Sequence, residues 1–312
     1  MLETLLLIAA VQAAGSPAVS PPPAVLRIEV GVTPAGEASD RWLAMIRRRV
    51  SPDRYAAIAP IRKPLSAEER AWADLIVSRR DGWERDIPAL AALFEPVPPP
   101  AEAVIVIGNR GAEDAFTHDP ITIGFDLSAL QRVYGDAASP ANPARMDRLF
   151  RHEYVHLMQK AWLAVHPYRM DSPVGAALAE IWGEGMGTWF SMSERWRGGA
   201  SEAAAGALAR LAPRFADRLS ALACASSAEA DSLTADLSNG AFGQKWGALP
   251  AGLWLEEEVS REGTRAPLRR LVLEGPDGVW ALAERHLPDS LWRRASRARV
   301  GCPAPATPGG PL

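Results

Sequence analysis

Residues 146–163 read MDRLFRHEYVHLMQKAWL. Met146, Leu149, Phe150, Leu157 and Leu163 recur at the intervals that line one face of an α-helix. On that helix His152 and His156 stand four apart, so both imidazoles project from the same side and can present a nitrogen to one ion. Glu153 lies next to that side, where a carboxylate can act as general base on a water bound to the metal. The pattern is HExxH, in the helical context that the motif requires.

Two histidines do not complete a catalytic zinc site, which takes a third protein ligand and leaves a position for water. No Gly and third His follow at the spacing that extended HExxH motifs use, and His166 precedes Pro167 at a predicted helix end. A carboxylate on the next helix is therefore expected. That helix, around AEIWGEGMGTWF at 179–190, offers Glu180 and Glu184, four apart and on one face. Isolated carboxylates on so apolar a helix are costly to bury unless a cation or a donor meets them. Gly183, Gly185 and Gly187 each disfavour the helix by about 1 kcal/mol relative to Ala. Three of them around Glu184 point to close approach of a backbone, a metal or a substrate.

HEYVH followed by GEGMGTWFS resembles the gluzincin metallopeptidases of the peptidase MA-like superfamily. The resemblance covers about residues 121–259, and its specific part is the two helices. It implies a zincin-like fold, one Zn2+ per chain, Glu153 as the catalytic base, His152 and His156 as ligands, and a peptide or protein substrate. In aminopeptidase-like members the Glu before Gly is the third ligand, which maps onto Glu184; thermolysin-like members would give the metal to Glu180. Gly185 and Trp189 fit the first pattern, which leaves Glu180 as a partner orienting a histidine. The segment Ile121–Leu127 resembles the edge strand on which gluzincins bind an extended peptide. Two departures stand out. Twenty-seven residues separate His156 from Glu184, more than in either subgroup, with the extra length in the loop 166–173. The stretch 239–247, NGAFGQKWG, also lacks the Tyr that stabilises the oxyanion in many relatives. Lys245, Tyr134, Tyr168 and His286 are candidate replacements. A catalytically inactive zincin-like protein that keeps the zinc site is the alternative this omission suggests.

The rest of the chain gives the frame. Its 312 residues, 48% hydrophobic and 23% charged, suit a globular protein with an ample core. A net charge of −3 argues against nucleic acid as a partner. Short β-rich runs are predicted at Leu26–Val32, Val104–Gly108 and Ile121–Leu127, with helices over 41–50 and 66–93 between the first two. The second opens on a Ser66/Glu69 capping box and is expected to break near Gly82. From 143 onward helices are expected near 143–165, 174–196, 200–222, 242–261 and 277–298. Strands early and helices late make the fold class α+β, with a small mixed sheet. The sheet part spans about 25–135 and the active-site helices about 143–196, together a domain of 25–200; a helical part at 201–300 and a loose tail at 301–312 follow.

Residues 1–24 read as a signal peptide and a Pro-rich spacer. The apolar run Leu5–Val11 is too short to span a bilayer and is followed by small residues, with cleavage expected after Ala13. Glu3, in place of a basic residue, is atypical, and a buried N-terminal helix is the competing interpretation. A secreted or periplasmic location follows from the first, with no integral membrane segment after processing. There Cys224 and Cys302 could pair, or stand as unrelated thiols.

Overall fold

A computed structural model of the chain describes residues 25–197 and 201–302; the expected signal segment and spacer lie outside the described residues, as does the tail from 303. Four strands form one sheet: β1 (Val25–Val30), β2 (Glu102–Gly108), β3 (Ala115–Thr117) and β4 (Thr122–Asp126), in the order β1-β2-β4-β3. β1 runs parallel to β2 and β2 to β4, while β3 closes the far edge antiparallel to β4, with Phe116 opposite Gly124. Helices α1 (Asp40–Arg47), α2 (Pro52–Ile58) and α3 (Ala67–Ala91) connect β1 to β2, and α4 (Leu127–Tyr134) leaves β4 directly, capped by Asp126.

The sequence of β2 shows why the sheet is covered on both sides: a nearly continuous apolar run suits a strand buried on two faces. Val104 and Val106 pack with Trp42, Met45 and Ile46 of α1 and with Phe116. Ile105 and Ile107 turn to the opposite face and join the main core. That core extends without interruption from Leu26 in β1 to Ala298 near the C-terminus.

Helix α3 begins at the predicted capping box, with the Ser66 and Glu69 side chains each bonded to the other's backbone N–H. The expected break near Gly82 does not occur, and the helix continues for 25 residues. Trp72, Ile76, Trp83 and Ile87 are all buried on its core face. Burying such side chains contributes about 2 kcal/mol each, which outweighs the roughly 1 kcal/mol penalty of one helical Gly.

The remaining helices are α5 (Asn142–Val165), α6 (Pro173–Ser191), α7 (Glu202–Leu222), α8 (Ser227–Thr234), α9 (Ala248–Glu262), α10 (Ala266–Glu274), α11 (Gly278–His286) and α12 (Asp289–Ala295). α6 ends five residues before the predicted boundary at 196, because the backbone turns extended at Met192. The helix expected over 277–298 is two helices, divided at Leu287–Pro288, where proline cannot continue the backbone ladder. α8 and α10 were not anticipated. The α+β class with a small mixed sheet holds. Among the described residues no helix is long and apolar enough to cross a membrane.

Trp83 of α3 fixes α5 in place. Its ring stacks on Phe150 with centroids 4.6 Å apart and planes 5° from parallel. Its Nε1 donates to Asp147, which also receives Arg79 through two hydrogen bonds. At the other end of the molecule Cys224 and Cys302 form a disulfide across 78 residues, which settles the pairing question. Cross-linking a loop of that length stabilises a fold by about 4 kcal/mol in the chain-entropy description. Replacing both cysteines by Ser should lower the melting temperature by roughly 5–10 °C. An unchanged melting temperature would show that the link contributes nothing to the native state.

Candidate metal centre

α5 and α6 pack antiparallel, with His152 against Gly187, Gln159 at Gly183 and Trp162 at Trp182. This packing brings the motif histidines to the second helix. The Nε2 atoms of His152 and His156 are 3.0 Å apart. Glu184 places Oε2 3.7 Å from the first and Oε1 3.4 Å from the second. Zinc holds such ligands at about 2.0–2.1 Å, so two vertices of its tetrahedron stand roughly 3.3 Å apart. The two imidazole nitrogens and the two oxygens of the Glu184 carboxylate lie close to that spacing, and one ligand atom from each of the three residues falls within 4.8 Å of the others. Among the described residues these three side chains are the group positioned to share an ion.

Glu180 sits one turn earlier and is excluded from that group. Its Oε1 accepts a 2.6 Å hydrogen bond from Ser238, and burial raises its pKa. The expected role of Glu180 in orienting a histidine is corrected: Gln159 does this. Nε2 of Gln159 donates to the carbonyl of Gly183 at 3.2 Å, which turns Oε1 toward His156 Nδ1 at 2.8 Å. His156 must therefore donate from Nδ1, leaving Nε2 with a free lone pair for a metal. Sequence reasoning missed Gln159, although its place three residues after His156 on one helix was a usable signal.

The electrostatics suit a cation. Burial, with the neighbouring His156, pushes His152 down to about 4, so the ring is neutral at neutral pH, as a ligand must be. Burial alone would raise Glu184, but His156, His152 and Lys245 outweigh it and hold the carboxyl below its usual value. Glu153 is 5% exposed, has no side-chain hydrogen bond among the described residues, and lies 3.9 Å from His152 Nε2. Burial and the charge of Glu184 raise its pKa well above the ordinary carboxylate value.

Two of the three glycines around Glu184 have a visible cause. A Cβ at Gly185 would lie 2.7 Å from the Ala251 Cβ of α9, so its absence lets the two helices touch. A Cβ at Gly187 would fall 2.7–3.0 Å from three atoms of the His152 ring. His152 thus occupies space that only glycine leaves open, and its Nδ1 is buried without a hydrogen-bond partner. A Cβ at Gly183 would meet only the Gln159 amide at ordinary contact distance.

These groups open onto a cleft of about 780 Å³. Its walls include β3, the N-terminal half of α5, and the segment 238–245 ahead of α9. The sheet edge facing it is β3, not the segment Ile121–Leu127, whose strand β4 lies between β2 and β3 and has no free edge. β3 is only three residues long, too short to give a periodic sequence signal. Its Thr117 carbonyl accepts from Arg49 at 2.6 Å and its hydroxyl from Lys160 at 2.7 Å. Of the four candidate oxyanion donors, Tyr134 and Lys245 line the cleft. Tyr134 already donates to Asp114, whereas the Lys245 ammonium has no hydrogen-bond or ion-pair partner among the described residues. Tyr168 is committed to Asp277, and His286 is enclosed by Glu257, Glu258 and Trp254, both outside the cleft.

Comparison with known proteins gives no match: no family model, curated protein or solved structure matches the chain.

The Gly187→Ala variant should displace His152 and weaken zinc binding about 10- to 100-fold in a competition titration with a chelating dye. Wild-type affinity in a folded Gly187→Ala protein would contradict the clearance role.

Proposed function

We propose that this chain is a zinc-dependent peptidase of gluzincin type on a zincin-like fold. The observation that supports it most is the convergence of His152, His156 and Glu184 about one point, with Glu153 buried beside them. His152 and His156 would hold the ion through Nε2 and Glu184 through its carboxylate. When bound, zinc would polarise the scissile carbonyl and make a water acidic enough to attack near neutral pH.

The chain's own residues supply the proton handling. Glu153 has no hydrogen bond to break and faces the cleft, so its carboxylate is free to take a proton from the attacking water and pass it to the leaving amine. A carboxyl raised above its usual pKa suits a group that must both accept and release a proton near neutrality. Gln159 and Gly187 keep the two imidazoles facing each other, and Lys245, a cation in the cleft wall, would meet negative charge developing on the carbonyl oxygen. The size of the cleft suits a peptide segment, and the Cys224–Cys302 disulfide agrees with action in an oxidising, extracytoplasmic compartment.

Glu153→Gln should retain zinc and lose about 10²–10⁴-fold in turnover of a peptide that the wild type cleaves. Equal turnover in the two proteins would rule out Glu153 as the base and with it this mechanism.

A further inference from the structure

The cleft-facing stripe of α5 continues past the histidines toward its N-terminus. Arg148 lies one turn before His152 and Arg145 nearly two turns before it, and both line the cleft. At 1.5 Å per residue they stand about 6 and 10 Å from His152 along the helix axis. Both are half-buried. Other arginines in and around α5 and α6 meet carboxylates: Arg79 binds Asp147, Arg151 binds Asp86 and Arg197 binds Glu256. Arg148 has no hydrogen bond or ion pair to any described residue. Its charged neighbours are Arg145, Arg197, Asp147 and Glu194. Asp147 is already occupied by Arg79 and Trp83, and Glu194 does not come within ion-pair distance. Arg145 donates to the neutral amide of Asn142, and its guanidinium lies 4.4 Å from the centre of the Tyr134 ring. Two neighbouring cations are thus partly desolvated with no carboxylate in contact among the described residues, an arrangement that costs free energy unless an anion from outside completes it. Burial and the charge of Arg145 lower the pKa of Arg148 from the usual guanidinium value.

We propose that Arg148, backed by Arg145, is a specificity element that binds a carboxylate of the substrate. This rests on the peptidase reading and names the class of peptide it acts on. An extended peptide advances about 3.3 Å per residue, so the carboxylate recognised stands roughly two to three residues from the scissile bond. It belongs either to an Asp or Glu side chain or to a free C-terminus. The planar guanidinium can grip both carboxylate oxygens at once, and a charge-assisted pair of this kind distinguishes an acid from its amide by roughly 10- to 100-fold.

The test is a mixed peptide library offered to the zinc-loaded full chain, once with free and once with amidated C-termini. Cleavage is scored on the wild type, and retention on the non-hydrolysing Glu153→Gln protein. Arg148→Glu is compared with each, and Arg148→Gln, which keeps much of the aliphatic stem, takes its place if the reversal does not fold. The expected result is enrichment of Asp and Glu at one subsite, reversed to Lys and Arg by Arg148→Glu. If the C-terminus is the group recognised, amidation abolishes the effect instead. Cleavage or retention indifferent to peptide charge, or a charge preference unchanged in the Arg148 variants, overturns the proposal while leaving the peptidase reading intact. Charge-selective, Arg148-dependent retention without cleavage by wild type overturns the peptidase reading and leaves carboxylate recognition standing. Neither cleavage nor retention overturns both.

Discussion

The whole arrangement depends on how closely α5 and α6 approach. Ligand atoms from three side chains on two helices fall within 4.8 Å of one another only if the helices pack without a side chain between them at the crossing. Gly187 leaves the space that the His152 ring fills, and Gly185 lets α9 press on α6 from behind. Glycine weakens a helix, but α6 also buries Ile181, Trp182, Met186, Trp189 and Phe190. That apolar burial more than offsets the combined penalty of the four glycines in the helix. The remainder of the fold then serves as a brace: Trp83 and Asp147 hold α5 against α3, and β3 sets the opposite wall of the cleft.

Electrostatics impose a second constraint. Glu153 and Glu184 share a buried region with His152, whose imidazole burial keeps neutral near pH 7. Carboxylates in such surroundings are unfavourable without a positive partner, and a divalent cation held by His152, His156 and Glu184 would supply one. The same reasoning separates the two glutamates of α6. Glu180 has a hydroxyl donor in Ser238 and no imidazole, which suits a structural acid; Glu184 has two imidazoles. The first forms an ordinary buried hydrogen bond, and the second has the surroundings of a ligand.

Much of this was legible in the chain. HEYVH marked the face of α5 that turns to the cleft, since four-residue spacing puts both histidines on one side of a helix. The alternation and apolar content of β1, β2 and β4 were enough to locate those strands, and the Ser66/Glu69 pair located the start of α3. What escaped was set by tertiary contacts. Gly82 looked like a break because local propensity cannot register Trp72 and Trp83 buried on either side of it. β3 has too few residues to show a period, and its role at the sheet edge comes from pairing with β4. Gln159 carries no motif of its own; its function exists only once the Gly183 carbonyl arrives from α6 to orient the amide. The preference for Glu184 over Glu180 was already legible in the resemblance; what the sequence did not show is that Glu180 bonds Ser238, more than fifty residues further along the chain.

The central claim is that one zinc ion sits on His152, His156 and Glu184. Metal content of the purified chain by mass spectrometry, for wild type beside His156→Ala, Glu184→Ala and Glu180→Ala, tests it most directly. The account predicts about one zinc per chain in wild type and Glu180→Ala, and loss in the other two. No zinc in wild type after reconstitution, or loss on changing Glu180 with retention in Glu184→Ala, would contradict it.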